Sequence, residues 1–190
     1  MPEKRRFALF AALPLVAILA GCRDKPALPV YGEAPAFRLT AQDGREFHRS
    51  ALDGNVWVAD FIFTSCRGPC PLMSNRMRRV QSAVAGFPDV RLVSFTIDPE
   101  TDTPPVLAEY AKRYRADPSR WFFLTGERET LDSLGRDHFK LQSMDGTLNH
   151  STRFILLDRR SRIRGYYASE EEGAIDRLLV DLRRLRGEQS

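Results

Sequence analysis

The sequence predicts an α/β layer fold in which strands alternate with helices around one central sheet. Three observations carry this reading. Apolar runs of strand length at residues 57–63 and 90–97 are bounded by turn-forming residues. Segments with apolar residues at helical spacing follow them, at 71–84 and 106–115. The remainder continues the alternation and closes with a hairpin and an amphipathic helix.

The elements follow in order. Phe37-Arg38-Leu39-Thr40 alternates, Asp43-Gly44 marks a turn, and Glu46-Phe47 alternates again, which reads as a β-hairpin. Residues 57–63 read as a buried strand. Leu72, Met73, Met77, Val80 and Val84 make the helical pattern of 71–84, with Pro71 at the first helical position. Residues 90–97 are a second central strand. The loop from Asp98 to Pro104 leads into a helix over 106–115, with Asp102 or Thr103 as its cap. A short strand over 121–124, a helix over 128–139, and strands over 154–157 and 163–167 around the turn at 158–161 come next. A helix over 175–186 ends the chain. This order suits a thioredoxin-like fold carrying an added N-terminal β-hairpin.

Composition excludes some functions. A chain of 190 residues with 43% hydrophobic content is long enough for one domain with a real core. The net charge of +4 is partly owed to Lys4, Arg5 and Arg6, so the domain itself is only mildly basic and nucleic-acid binding has no support. The run Asp181-Leu182-Arg183-Arg184-Leu185-Arg186 fits the solvated face of an amphipathic helix.

Lys4, Arg5 and Arg6 also form a positive n-region ahead of an apolar run over 7–20, broken by Pro14. The run falls short of the ~20 residues of a comfortable membrane span and fits a secretory h-region. It ends in Leu19-Ala20-Gly21-Cys22, which resembles the lipobox of bacterial lipoproteins, where the cysteine is lipidated and becomes the mature N-terminus. Ordinary cleavage near Ala20 and an uncleaved anchor are the alternatives. The expected organisation is a lipoprotein signal peptide over 1–21, a proline-rich tether over 22–34 and the thioredoxin-like domain over 35–190. The expected location is extracytoplasmic, on the periplasmic side, anchored to a membrane by lipid on Cys22.

With Cys22 assigned to lipid, Cys66 and Cys70 remain as the thiols. They follow directly on the first buried strand, in Cys66-Arg67-Gly68-Pro69-Cys70-Pro71. A structural disulfide across so short a loop would remove little entropy from the unfolded chain, so chemistry explains the pair better than stapling. The strand-to-helix junction should place Cys70 near unpaired N–H groups that favour a thiolate, which is both nucleophile and metal ligand. The spacing of three residues spreads the sulfurs and lets both bind one soft metal ion.

Four stretches then identify the chain as similar to the Sco (SenC) family. They are Phe61-Ile62-Phe63-Thr64-Ser65-Cys66 through Cys70-Pro71, Ser94-Phe95-Thr96-Ile97-Asp98-Pro99 through Thr103-Pro104, Arg120-Trp121-Phe122-Phe123-Leu124-Thr125-Gly126, and Asn149-His150-Ser151-Thr152. They occur in the family's order, and the similarity spans roughly residues 34–182. The resemblance implies a thioredoxin-like extracytoplasmic copper protein that helps assemble the CuA centre of cytochrome oxidase. It implies Cys66, Cys70 and His150 as copper ligands and the CuA subunit of the oxidase, or another copper protein, as partner. Thiolate selects Cu(I) and imidazole tolerates Cu(II) as well, so the donor set suits copper in either state. A structural zinc site usually has four protein ligands, and no third thiol is available.

Two departures from the family move the site away from negative charge. The insert between the cysteines is Arg67-Gly68-Pro69, where relatives often carry an acid, and Asn149 precedes His150. Arg67 should lower the thiol pKa and disfavour an incoming cation. His48 and His138 read as surface or packing residues, Met73 and Met77 as core with an auxiliary thioether ligand as the alternative, and Asp98 as a turn residue. The competing function is a thiol–disulfide oxidoreductase that keeps cysteines of an exported partner reduced, with Cys66 and Cys70 as its redox-active pair. Peroxide reduction is less well supported, since no proline lies in the strand ahead of Thr64 and Cys66. A redox sensor for a signalling partner has no sequence test.

Overall fold

The computed structural model describes residues 26–141 and 152–188. One mixed sheet of eight strands forms the centre. In chain order its strands are β1 (Gly32–Glu33), β2 (Arg38–Ala41), β3 (Glu46–His48), β4 (Val56–Ile62), β5 (Val90–Thr96), β6 (Trp121–Thr125), β7 (Arg153–Leu157) and β8 (Arg162–Ala168). Across the sheet the order is β1-β8-β7-β4-β5-β6-β2-β3. The helices are α1 (Pro69–Ala83), α2 (Pro104–Arg113), α3 (Arg128–Ser133) and α4 (Ala174–Gly187). The α/β, thioredoxin-like class read from the sequence is the fold observed, with the N-terminal hairpin β2–β3 added at the β6 edge.

β4 is buried along its whole length because both faces of the sheet are covered. Val56, Val58 and Ile62 face a layer made by α1, α2 and α4. Trp57, Ala59 and Phe61 face the second layer, in which Phe37, Leu52, Leu134 and Phe139 pack. Alternation along the strand puts Asp60 on the α1 side, and its residue is fully buried.

The strand directions define two ends of the sheet. β5 and β6 run parallel to β4, and β7 runs antiparallel to it. Trp57 pairs with Leu157, and Leu157 with Ile163, so the starts of β4 and β8 lie at one end. Cys66 and Cys70 follow the other end of β4.

Several elements depart from the sequence reading. α1 begins at Pro69, with Gly68 as its N-cap residue, so Cys70 lies inside the first turn and Pro71 is not the first helical position. Thr103 is the N-cap residue of α2 but makes no capping hydrogen bond, and Asp102 is turned into the protein. The helix expected over 128–139 is α-helical only through Ser133 and continues as a π-helical turn over Leu134–His138. That wide turn is closed by Phe139 N–H donating to Leu134 O at 2.8 Å, and it sets the Phe139 ring against Trp57, Phe61 and Phe95. The stretch expected as tether is strapped to the domain from Pro26 onward. Gly32–Glu33 pairs with β8, Ala34 is buried, and the Arg164 guanidinium donates to Leu28 O and Pro29 O at 2.8 and 3.1 Å. A buried arginine needs acceptors, and the carbonyls of an extended proline-rich segment supply them.

Candidate metal centre

The junction of β4 and α1 holds the dithiol. β4 ends at Ile62, and Cys66 N–H donates to Phe63 O at 3.3 Å, which turns the chain toward the helix. Ser65, Arg67 and Gly68 are exposed, Cys66 is half-buried, and Cys70 is buried. Both cysteines are free thiols.

The electrostatics of Cys70 correct the sequence expectation. Burial pushes its thiol up to about 12. A hydrogen bond from the Phe63 backbone offsets this in part, while the neighbouring Cys66 thiol and the buried carboxyl of Asp60 add to it. The helix N-terminus and Arg67 do not win because the sulfur is inside the α1–sheet interface, whereas Arg67 is in solvent.

Two carboxylates support the junction: Asp102, expected as a helix cap, and Asp60. Asp102 is fully buried and accepts hydrogen bonds from Thr64 N–H (3.1 Å), Thr64 Oγ1 (2.5 Å) and Thr96 Oγ1 (2.5 Å). It therefore ties the segment entering the dithiol to the end of β5 and the start of α2. The sequence signal was an acid beside Thr-Pro, which fits a cap equally well. Asp60 accepts from Ser94 Oγ at 2.6 Å, and Trp121 Nε1 donates to Ser94 Oγ at 3.0 Å. Its second oxygen has no partner among the described residues, and burial raises its pKa to about 7. An acid inside an apolar strand was the available signal.

The remaining candidates have settings of their own or lie outside the described residues. Met73 and Met77 are fully buried on the core face of α1. His48 is exposed and bonded to Glu46 Oε1 at 2.6 Å in the hairpin. His138 sits in the π-helical turn, beside Pro35 and Phe37. Asp98 forms a turn: its carbonyl accepts from Thr101 and Asp102, and its N–H donates to Thr96 Oγ1. Cys22 and His150 lie outside the described residues. The chain just after His150 is described, however. β7 starts at Arg153 and pairs Ile155 with Ala59, so residues 152 and 153 lie at the dithiol end of the strand beside β4. Among the described residues no group of three or more His, Cys, Asp or Glu side chains converges as a metal site, and no helix is long and apolar enough to cross a membrane.

Comparison with known proteins agrees with this architecture. The SCO1/SenC family model matches residues 29–186. The SCO1 protein homolog of Bacillus subtilis is 32% identical over 161 residues, covering 82% of this chain and 83% of that protein. A Stutzerimonas stutzeri protein named for a proposed copper-binding role is 30% identical over 147 residues, covering 73% of this chain and 71% of its own. The structure of BsSco, described as a cytochrome c oxidase assembly protein with a disulfide switch, superposes with a TM-score of 0.74. It is 30% identical, and the match covers 85% of this chain and 98% of that one. The match spans residues 29–33 of the strap, the dithiol junction and all but the last residue of α4, and the chain belongs to the SCO1/SenC family.

Proposed function

We propose that this chain is an extracytoplasmic copper metallochaperone for the CuA centre of cytochrome oxidase, anchored to a membrane by lipid on Cys22. Its cargo is one copper ion held by Cys66, Cys70 and His150. The observation that carries the reading is the pair of free thiols at the β4–α1 junction, one half-buried and one buried. Return of the chain to that same end of the sheet just after His150 supports a nitrogen donor joining them. Two thiolates and an imidazole leave coordination open for a ligand from the recipient, as a transfer protein needs. Cys70 keeps its proton at neutral pH, because burial raises its pKa. Metal binding must displace that proton, so copper affinity rises with pH.

A specific observation favours a second activity at the same pair. Both thiols are free and stand four residues apart at one strand–helix junction, a pair that can close as a Cys66–Cys70 disulfide. In that role the pair gives two electrons and two protons to a partner disulfide and is itself oxidised.

Anaerobic reconstitution with Cu(I), Cu(II) and Zn(II) in competition tests the first reading. One copper per chain is expected, lost in the Cys66→Ser, Cys70→Ser variant; stoichiometric copper in that variant would overturn it. His150→Ala should weaken Cu(II) more than Cu(I), since two thiolates can hold Cu(I) near-linearly while Cu(II) favours nitrogen. Equal losses reject His150. Mass spectrometry of the mature N-terminus tests Cys22, and an unmodified terminus elsewhere removes the anchor.

A further inference from the structure

The face beside the dithiol has an unusual charge pattern. α1 carries Arg76, Arg78 and Arg79 and no acidic residue. Only Arg79 has a carboxylate, Asp176 of α4, at 2.7 Å. On α2, Glu109 is taken by Lys112 at 2.6 Å, which leaves Arg113 lying over the Tyr110 ring. Arg67 stands in the dithiol loop itself. Thus Arg67, Arg76, Arg78 and Arg113 have no ion-pair partner among the described residues. α1 and α2 are neighbours on one side of the sheet, joined by the Ser74–Tyr110 hydroxyl contact at 2.9 Å. Beside these charges lie exposed apolar groups: Val106 at the start of α2 is 38% exposed, and Leu72, on the flank of α1 turned from α2, is 45% exposed. A shallow groove of about 360 Å³ runs from Thr64 past Pro105 and Val106 toward Arg113.

We infer that this face is the docking site of a partner protein that presents an apolar contact ringed by carboxylates. Recognition surfaces commonly pair an apolar centre with a polar rim, and unpaired charges of one sign select the opposite sign and speed encounter. An anionic membrane fits less well, because the strap at Pro26–Glu33 is held at the opposite end of the sheet, where the chain toward residue 22 leaves the domain. The inference rests on the reading of Cys66 and Cys70 as the reactive pair, since it brings the partner to them.

The test uses the full chain, reduced, in uncharged detergent. Three peptides of equal length each carry one internal disulfide flanked by Glu, Gln or Lys. A thiolate of the pair attacks one peptide sulfur and the second thiol releases it, giving a Cys66–Cys70 disulfide and a peptide dithiol that takes up the two protons. Each rate is divided by that of the same peptide with dithiothreitol, which removes the peptide's own reactivity. The Glu peptide should react at least tenfold faster than the Lys peptide at about 10 mM salt. The ratio should fall below twofold at about 0.5 M, where the Debye length is only a few ångströms. Arg78→Glu with Arg113→Glu should cut the low-salt ratio several-fold. Equal rates for the three peptides at low salt, or an undiminished ratio in the variant, would overturn the inference. So would tight binding of the Cys22→Ala chain to phosphatidylglycerol vesicles without a peptide preference. Reaction with uncharged hydroxyethyl disulfide separates the two readings: if it fails, the redox role of the pair fails. Binding of the same peptides to the Cys66→Ser, Cys70→Ser chain then decides the docking site alone.

Discussion

The two ends of the sheet handle charge in opposite ways. At the end where β4 and β8 begin, two carboxylates are each shared between a pair of arginines. Asp89 takes Arg159 and Arg186 at 2.7 and 2.8 Å. Asp158 takes Arg162 and Arg164 at 2.7 and 2.8 Å, and Arg164 also reaches Glu188 at 3.1 Å. Arg186 covers the Phe87 ring at 3.8 Å. These pairs bind the strap, the hairpin turn and α4 into one piece. At the dithiol end Asp60 and Asp102 are buried, Glu100 and Glu171 pair with Arg128 and Arg177, and Arg67 and Arg78 stand exposed without an ion-pair partner among the described residues. The first arrangement spends charge on rigidity; the second leaves it available for recognition while buried acids shape the thiol environment.

The contrast is broken most severely at Arg164, whose side chain is 4% exposed. Arg164→Ala strands Asp158 and removes the donors to Leu28 O and Pro29 O, which should cost about 3–5 kcal/mol of stability. Burial alone would raise the Asp158 carboxyl, but the bonds from Arg162 and Arg164 outweigh it and hold the pKa below its ordinary value. Its stabilising effect is therefore present above the ordinary carboxylate range and lost as pH falls through the folded-state pKa. Denaturant melts at neutral and acid pH check this: the wild-type advantage over Arg164→Ala should shrink at low pH. An advantage that grows on acidification would mean the pair does not act as a pair.

Asp60 gives the opposite sign. Its folded-state pKa of about 7 lies above the ordinary 3.8, so the stability tied to its proton is present below about 4 and lost as pH rises through 7. Asp60→Asn should match the wild type near pH 4 and exceed it by about 2–4 kcal/mol at pH 8. Thermal melts across that range are the measurement, and parallel curves would show that Asp60 is not the titrating group.

Asp102→Asn should act locally. It keeps the size but offers an NH₂ where Thr64 and Thr96 need acceptors, at a cost of about 2 kcal/mol. Hydrogen exchange should quicken at Thr64 through Cys66 and leave β8 unchanged, and copper affinity should fall with it. Uniform exchange across the sheet would make Asp102 a general core residue.

The smallest effect belongs to Arg67. An exposed guanidinium acts on the thiols only through water, so Arg67→Asp should tighten copper by less than about threefold, and the gain should vanish at high salt. A larger, salt-independent change would place Arg67 against the sulfurs.

Strand and helix identities were legible wherever one face had to be apolar. Val56–Ile62 and Val90–Thr96 came from their runs, and α1 from Met73, Met77 and Val80. Boundaries were less legible, because Pro69 and Pro71 both suit a first turn and sequence does not choose between them. The strand at Gly32–Glu33 was invisible, since two residues carry no period and owe their conformation to β8. At the dithiol, the residues and their order were legible. The sense of the Cys70 shift needed the burial of its sulfur beneath α1.

By itself, then, the sequence determined the family, the α/β alternation and the two thiols at a strand–helix junction, because motif, period and spacing are local along the chain. Tertiary structure alone decided which charges were neutralised. Arg164 and Arg67 are the same residue type, yet one lies among carboxylates and carbonyls brought from the strap, β8 and α4, and the other lies in open solvent. Coulombic partners and desolvation depend on distances across the fold, and those distances join residues far apart in sequence.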